Sequence, residues 1–323
     1  MFLGKSFLIT GGTGSFGTTL TEFLLRTDVS RIVIFSRDET KQHLLKAKYS
    51  DSRVQFYLGD IRNEYTTAKI LEGIEYVFHA AALKQVPTGE NFPFEYIQTN
   101  ILGSHNLLSS LKNTDVEKVV FLSTDKAVYP VNVMGITKAM MEKLVRSENY
   151  PSRVTSVITR YGNVIGSRGS VIPEFINSAV VKGSVNITDK TMTRFMMSLQ
   201  DSVNLVLYAL SSGENGDLFV QKSPAATIEV LVQALELILD KKIKQNYIGI
   251  RKGEKIHETL LTAEEHKNAI ETKDYFQVPN IKNTNDTGSK NNTDYSSNTT
   301  ISLTPEQLAS LLLSISEIKS LLR

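Results

Sequence analysis

Six short apolar runs punctuate the first half of the chain. Phe7 to Thr10, Arg31 to Phe35, Val54 to Leu58, Val77 to His79, Val119 to Ser123 and Val154 to Thr159 are rich in Val, Ile and Phe and do not alternate with polar positions. Runs of this kind suit strands buried on both faces of a parallel sheet. Helical spacing fills the intervals, so the pattern is βαβ repeated. The expected fold class is α/β, a doubly wound parallel sheet with a smaller α/β companion. Beyond about residue 165 the rhythm loosens. Helices are predicted near 171–182, 200–211 and 226–240, with short strands at Leu218 to Gln221 and Tyr247 to Ile250. The expected division is a first domain over 1–165, to which later segments return, a second over 166–280, and a tail over 281–323. The tail opens with a stretch rich in Asn, Thr and Ser, read as a loop over 280–302. A helix follows. Thr304-Pro305-Glu306-Gln307 has a capping-box pattern with Pro at the first helical position. Leu308, Leu311, Leu312, Ile315, Ile318 and Leu322 then form one apolar stripe, which needs cover from its own domain or from a neighbouring subunit.

Composition narrows the class. The chain has 323 residues, 41% apolar and 22% charged, ordinary values for a globular protein. Basic and acidic residues number 36 and 34, a balance that gives no reason to expect nucleic acid or a membrane surface. No apolar run approaches the roughly 18 residues of a membrane span, and the first residues lack a signal region. The absence of cysteine excludes disulfides and thiolate catalysis and fits a cytoplasmic location. The five histidines show no metal-ligand spacing, so no metal is expected.

The first strand runs directly into Thr10-Gly11-Gly12-Thr13-Gly14-Ser15-Phe16-Gly17. Gly11, Gly14 and Gly17 keep a G-x-x-G-x-x-G spacing that lets backbone approach a pyrophosphate. The helix opening near Ser15 would point free N–H groups at that anion. Its place after a strand and before a helix is the context that gives the glycine pattern meaning. The second strand ends at Ser36-Arg37-Asp38. Where an NAD site usually places an acid, Arg37 offers a planar cation for a 2′-phosphate, with Ser36 and Lys41 as further donors, which points to NADP. Asp38 is explained as a helix cap. Asp60 and Ile61, closing the third strand, would meet the adenine. Ala80, Ala81 and Ala82, closing the fourth, offer small side chains where backbone must lie against cofactor. Lys84 and Gln85 follow and should reach the sugar or its pyrophosphate.

The fifth strand ends in Leu122-Ser123-Thr124-Asp125-Lys126, and Met134-Gly135-Ile136-Thr137-Lys138 opens the next helix. With TGGTGSFG, FSRDE, HAAALKQVP, LSTDKAVYP, MGITKAMMEK, TRYGNV, SRGSVIP, MTRFMMSL, FVQKSPA and RKGEK, these residues carry a resemblance. The chain resembles the extended short-chain dehydrogenase/reductases. More closely, it is similar to the UDP-N-acetylglucosamine 4,6-dehydratases of capsule and surface-polysaccharide synthesis, in particular their C5-inverting branch. The resemblance runs from about residue 1 to 278 and resumes weakly at Tyr295 to Thr304. It implies a Rossmann domain, NADP as cofactor, a UDP-sugar as substrate and a homo-oligomer, often a hexamer.

By this resemblance, Asp125 is the general acid for the departing 6-hydroxyl and Lys126 the base at carbon 5. Lys138 holds the nicotinamide ribose, and Thr124 bonds near carbon 4. Leu122, Ser123, Tyr161, Asn163 and Val164 lie beside the nicotinamide, Asn163 also touching substrate. Arg168 to Pro173, Val171 among them, and Thr188, Arg194, Arg251 and Glu254 match positions that bind UDP. Arg suits a diphosphate because its fork donates two charge-assisted bonds.

Two stretches depart from the usual patterns. The Tyr that normally sits one helical turn before the Lys is replaced by Met134, whose thioether moves no proton. A Met in this slot also occurs in the inverting branch. The only literal Y-x-x-x-K, Tyr65 to Lys69, falls on the adenine side and is read as chance. Thr88-Gly89-Glu90-Asn91-Phe92 stands where relatives usually have a Ser/Thr-Cys-Glu-Phe sequence. For Lys126 to serve as a free amine its pKa must fall from about 10.4, and burial beside Lys138 and the cofactor is expected to lower it. Two other readings stay open: a UDP-sugar 4-epimerase, which needs no acid–base pair at carbons 5 and 6, and an NADP-sensing protein with an inactive site, favoured by Met134.

Overall fold

The computed structural model describes residues 2–147, 150, 153–280 and 292–322. The first half alternates as its hydrophobic pattern requires. In order come β1 (Ser6–Thr10), α1 (Ser15–Leu25), β2 (Arg31–Ser36), α2 (Glu39–Lys48), β3 (Val54–Leu58), α3 (Glu64–Ile70) and β4 (Tyr76–His79). Two short helices, α4 (Val86–Asn91) and α5 (Pro93–Tyr96), lead through a π-helical stretch at Ile97–Leu102 into α6 (Gly103–Ser110). Then follow β5 (Lys118–Leu122), a 3₁₀ turn at Asp125–Ala127, α7 (Val133–Val145) and β6 (Thr155–Arg160). Each strand of this half lies within a residue or so of its apolar run. The strands are parallel and ordered β3-β2-β1-β4-β5-β6, a doubly wound sheet whose order reverses between β1 and β4.

The second half leaves this sheet and comes back to it. After β7 (Asn163–Val164) come α8 (Val171–Lys182), β8 (Ser184–Ile187), β9 (Thr193–Met197), α9 (Leu199–Ser212), β10 (Leu218–Gln221), β11 (Ala225–Thr227), α10 (Ile228–Leu239) and β12 (Lys244–Tyr247). The chain continues through β13 (Thr259–Leu261), α11 (Ala263–Lys267), β14 (Ile270–Glu271), β15 (Tyr275–Val278), β16 (Tyr295–Ser296), α12 (Pro305–Ser314) and α13 (Ser316–Leu321). β10 pairs parallel to β6, and β15 pairs antiparallel to β10, which brings the central sheet to nine strands. Two apolar clusters cover its faces, one around Leu8, Phe121 and Leu107, the other around Phe7, Leu24 and Phe219. A third core, around Ile176, Leu231, Leu235 and Leu312, holds the smaller part together.

Two elements differ from the sequence pattern. The strand expected at Tyr247 to Ile250 lies earlier, at Lys244–Tyr247, where it pairs parallel with β8. Its residues are polar and exposed or half-buried, so no apolar run marks it. The terminal stripe is not one helix. Thr304 caps α12 as expected, with Gln307 completing the box, but Ile315 is extended (φ −94°, ψ 121°) and separates α12 from α13. Flanking serines and a β-branched residue favour a break there. The bend lets Ile315 and Glu317 close over Gly166. The stripe is covered by its own chain: Leu308, Leu312 and Ile318 are fully buried in the third core. Residues 281–291 of the polar stretch predicted over 280–302 lie outside the described residues. Its end is tied down, with Tyr295–Ser296 paired to β13.

Candidate active site

The strand ends β1 to β6 open into one cleft of about 750 Å³. Its floor is the Gly-rich turn. Gly11 has φ +66°, and a Cβ there would come within 2.8 Å of the Ala81 backbone, so only glycine lets β1 and β4 close on each other at this point. A Cβ on Gly17 would meet Gly12 at 2.5 Å, which fixes how tightly α1 leaves the turn. No side chain caps α1 at Gly14, so its first N–H groups face the cleft beside Thr13, Ser15 and Phe16. That is a ready anion site, and the residues present fit a dinucleotide pyrophosphate.

The end of the cleft formed by β2 and β3 carries the cation pattern read from the sequence. Ser36, Arg37, Asp38, Lys41, Asp60 and Ile61 all line the cleft. Asp38 is occupied as the cap of α2, accepting from the Lys41 N–H at 2.9 Å and pairing with Lys41 Nζ at 2.6 Å. The Arg37 guanidinium lies 3.6 Å from Asp60 and is half-exposed to the cleft. At the fourth strand end, Ala80, Ala81, Ala82 and Lys84 line the opposite wall. His79 behind them accepts or donates to Thr10 Oγ1 at 2.8 Å and Ser104 Oγ at 3.0 Å, and burial pushes its pKa down to about 3.

At the other end, Leu122, Ser123, Thr124, Lys126, Met134, Lys138, Tyr161, Asn163 and Val164 come together. Lys138 donates to the Leu122 carbonyl at 2.7 Å, and burial pushes its pKa down to about 8. β5, β6 and α7 are locked behind it by Arg160, whose guanidinium pairs with Glu142 at 2.6 Å and Glu265 at 2.8 Å. Ser123 Oγ donates to the same Glu142 at 2.5 Å. Tyr65, by contrast, is 78% exposed on α3 and outside the cleft.

Asp125 is placed differently from Lys126. Its side chain is buried below the cleft wall, where Oδ1 accepts from Lys126 Nζ at 3.0 Å and from Thr124 Oγ1 at 2.9 Å. Its Oδ2 has no partner. Glu258, which nothing in the sequence pattern singled out, lies 3.3 Å from the same Nζ. The expected fall in the Lys126 pKa is therefore reversed. Burial does pull it down, but Asp125 and Glu258 outweigh burial and leave it above the ordinary lysine range. Lys138 moves the other way, and so does Lys84 on the opposite wall, both lowered by burial.

The second half closes over the cleft through a loop after β7. Arg168 donates to the Thr13 carbonyl at 2.5 Å and to Ser15 Oγ, while Lys84 Nζ donates to the Arg168 carbonyl at 2.7 Å. Arg168 thus stands over the Gly-rich turn. Val171 begins α8, which also points an uncapped N-terminus into the cleft. Thr188, Arg194, Arg251 and Glu254 are not part of the cleft wall. Thr188 bonds Met192 Sδ, and Glu254 accepts from the Arg251 N–H at 3.2 Å. Arg194 is buried and spends its fork on the carbonyls of Thr193, Lys255 and Ile256. The loop bearing Arg251 and Glu254 is docked on the start of α7, where Asn132 donates to the Gly253 carbonyl at 2.8 Å. The unusual 88–92 stretch belongs largely to α4, from which Glu90 accepts the Val133 N–H at the start of α7. Thr99, on the π-helical stretch, adds an unpartnered hydroxyl to the cleft that no sequence signal marked.

Among the described residues, no His, Cys, Asp and Glu cluster could hold a metal ion, and no helix is long and apolar enough to cross a membrane. The family model for the polysaccharide biosynthesis protein matches residues 7–280. The chain belongs to this family. A curated relative from Rickettsia canadensis (strain McKiel), named UDP-glucose 4-epimerase, is 52% identical over 289 residues, covering 86% of this chain and 84% of its own. The X-ray structure of Pen from Bacillus thuringiensis superposes with a TM-score of 0.91 at 35% identity, covering 99% of each chain. UDP-glucuronic acid 4-epimerase from Bacillus cereus, solved with UDP-glucuronic acid and NAD, gives 0.70 at 25% identity over 78% of this chain and 88% of its own. The family member described here has the Rossmann-like fold of extended short-chain dehydrogenase/reductases and is a nucleotide-sugar-modifying enzyme of that class, with a nicotinamide dinucleotide site.

Proposed function

We propose that this enzyme is a UDP-N-acetylglucosamine 4,6-dehydratase that uses NADP and inverts carbon 5. The observation that carries this reading is the pair of ionised groups at the nicotinamide end: Lys126 Nζ on the cleft wall and Asp125 Oδ1 behind it at 3.0 Å. When bound, the cofactor supplies a two-electron acceptor at carbon 4 that ends the cycle in its starting state. The residues supply the acid and base at carbons 5 and 6. A ketone at carbon 4 acidifies the proton on carbon 5. Transfer of one proton from Lys126 Nζ to Asp125 creates an amine facing the substrate and an acid behind it. The amine can take the carbon 5 proton. The acid can reach the departing 6-hydroxyl through Thr124 Oγ1, which lines the cleft and bonds Asp125. Each such general acid or base step is worth roughly 10²–10⁴ in rate. Met134 holds the slot of the usual Tyr and contributes packing alone. Arg37 supports NADP by offering a 2′-phosphate a cation, and the Arg168 loop and the α8 N-terminus offer charge and N–H groups to the phosphates.

UDP-sugar 4-epimerase is the second reading. The names of the curated relatives fit it better than they fit the dehydratase. It would leave the Asp125–Lys126 pair without a task at carbons 5 and 6. Proton NMR of the reaction with UDP-N-acetylglucosamine, and separately with UDP-glucose, decides between them. A 4-keto-6-deoxy product supports dehydration; a galacto-configured product overturns it in favour of epimerisation.

A further inference from the structure

Glu258 sits just before β13, and its side chain is 3% exposed. Its Oε1 is 3.3 Å from Lys126 Nζ and its Oε2 is 3.6 Å from Lys255 Nζ. Its backbone N–H donates to Ser297 Oγ at 2.9 Å, which fixes the carboxylate's origin. Lys255 in turn donates to the Val128 carbonyl at 2.5 Å, so the segment carrying Glu258 is tied to the segment carrying Lys126. Asp125, Lys126, Glu258 and Lys255 therefore alternate in sign through the wall. Lys126 is the member of the four that lines the cleft.

Burying a carboxylate is costly unless a charge or hydrogen bond repays it. Packing does not require an acid here, since a glutamine has the same shape. An ammonium has three hydrogens to place. Asp125 takes one from Lys126's own turn, and Glu258 approaches from a different element, leaving one for the cleft. The charged groups around Lys126 are Asp125 on its own turn, Glu258 and Lys255 on the segment before β13, and Arg194 on β9, whose like charge disfavours the ammonium of Lys126. Lys138 on α7 lines the same cleft.

We propose that Glu258 is a positioning residue: with Asp125 it grips the Lys126 ammonium from two elements, aims the remaining N–H at the substrate and holds the proton until the sugar is seated. Its role in turnover rests on the proton chemistry assigned to Lys126 above. Its grip on Lys126 does not.

The test is a titration of the Lys126 Nζ signal in full-length, ¹⁵N-lysine-labelled protein, assigned by comparison with Lys126→Arg. In Glu258→Gln the signal should titrate lower than in wild type by about one pH unit or more. Glu258→Asp keeps the charge on a shorter arm and should give a smaller shift. NADP binding and the melting curve check that each variant is folded. With sugar nucleotide, Glu258→Gln should lose about 10- to 100-fold in kcat with little change in KM, and the alkaline limb of its pH profile should move down. An unchanged Lys126 titration in Glu258→Gln overturns the proposal. If that variant does not fold, an unshifted Glu258→Asp does so. A shifted titration in a protein that makes no keto sugar overturns the dehydratase reading and leaves the grip of Glu258 standing.

Discussion

Lys138 donates to the carbonyl oxygen of Leu122 at 2.7 Å, so its ammonium is tied to the end of β5 rather than to a carboxylate. Burial leaves its pKa at about 8, below the roughly 10.4 of an unfolded chain. Below pH 8 both states carry the proton and the buried charge destabilises the fold in full. Between pH 8 and 10.4 the unfolded chain binds more protons, so stability rises with pH, and above that range the cost is gone. Cofactor-free wild type should therefore gain roughly 2–3 kcal/mol relative to Lys138→Met between pH 7.5 and 10. Urea unfolding at several pH values measures this. A constant gap between the two proteins would show that the buried amine is not what the pH dependence reports.

Lys126 and Met134 make opposite predictions for solvent exchange. Turnover in deuterium oxide should place deuterium at carbon 5 of an L-arabino product. Lys126→Ala should lose that exchange, on the order of 10²-fold or more, while still binding NADP and UDP. Met134→Ala should keep most of it, because a thioether has no proton to give. Normal exchange in the Lys126 variant refutes the assignment.

Arg37 makes cofactor choice measurable. Its guanidinium faces the cleft half-exposed, with Asp60 at 3.6 Å. Arg37→Glu should weaken NADP binding by about 1.5–3 kcal/mol, the scale of a charge-assisted contact. NAD, lacking the 2′-phosphate, should be affected far less. Isothermal titration with both dinucleotides reads the difference, and equal losses would mean that Arg37 does not meet the phosphate.

Leu312 is fully buried in the core of the smaller part. Leu312→Ala should cost roughly 2–5 kcal/mol, seen as a fall in the urea midpoint. Deleting residues 304–322 should unfold or aggregate the protein, since Leu308, Leu312 and Ile318 all leave that core together. A soluble, active truncation would contradict this.

Where the signal is local, the sequence was readable. The strands β1 to β6, the Gly-rich turn and Asp38 as a cap all depend on neighbours a few residues away, and periodicity reports neighbours. Met134, Lys138 and Thr124 were legible for the same reason: a strand end and one helical turn bring them to the cleft. Glu258 was not, because it meets Lys126 only after the chain has built the second half and come back. The same distance hid the place of Arg168 over the Gly-rich turn. The raised pKa of Lys126 has the same origin, since the carboxylate of Glu258 joins that of Asp125 beside it only in the folded chain. The break at Ile315 leaves no mark in the pattern, because the apolar stripe continues across the change in backbone direction.

The return of β10 to the central sheet has a consequence for any attempt to divide the molecule. Ile158, Thr159 and Arg160 on β6 are covered by Leu218, Phe219 and Val220 of β10. A fragment ending near residue 165 would leave β6 as a bare edge with its hydrogen-bonding groups unmatched. Such an edge is a template for strands of other chains. The fragment would retain every residue of the Gly-rich turn and is expected to aggregate through that edge, so the half of the sequence that carries the motif does not contain a finished sheet.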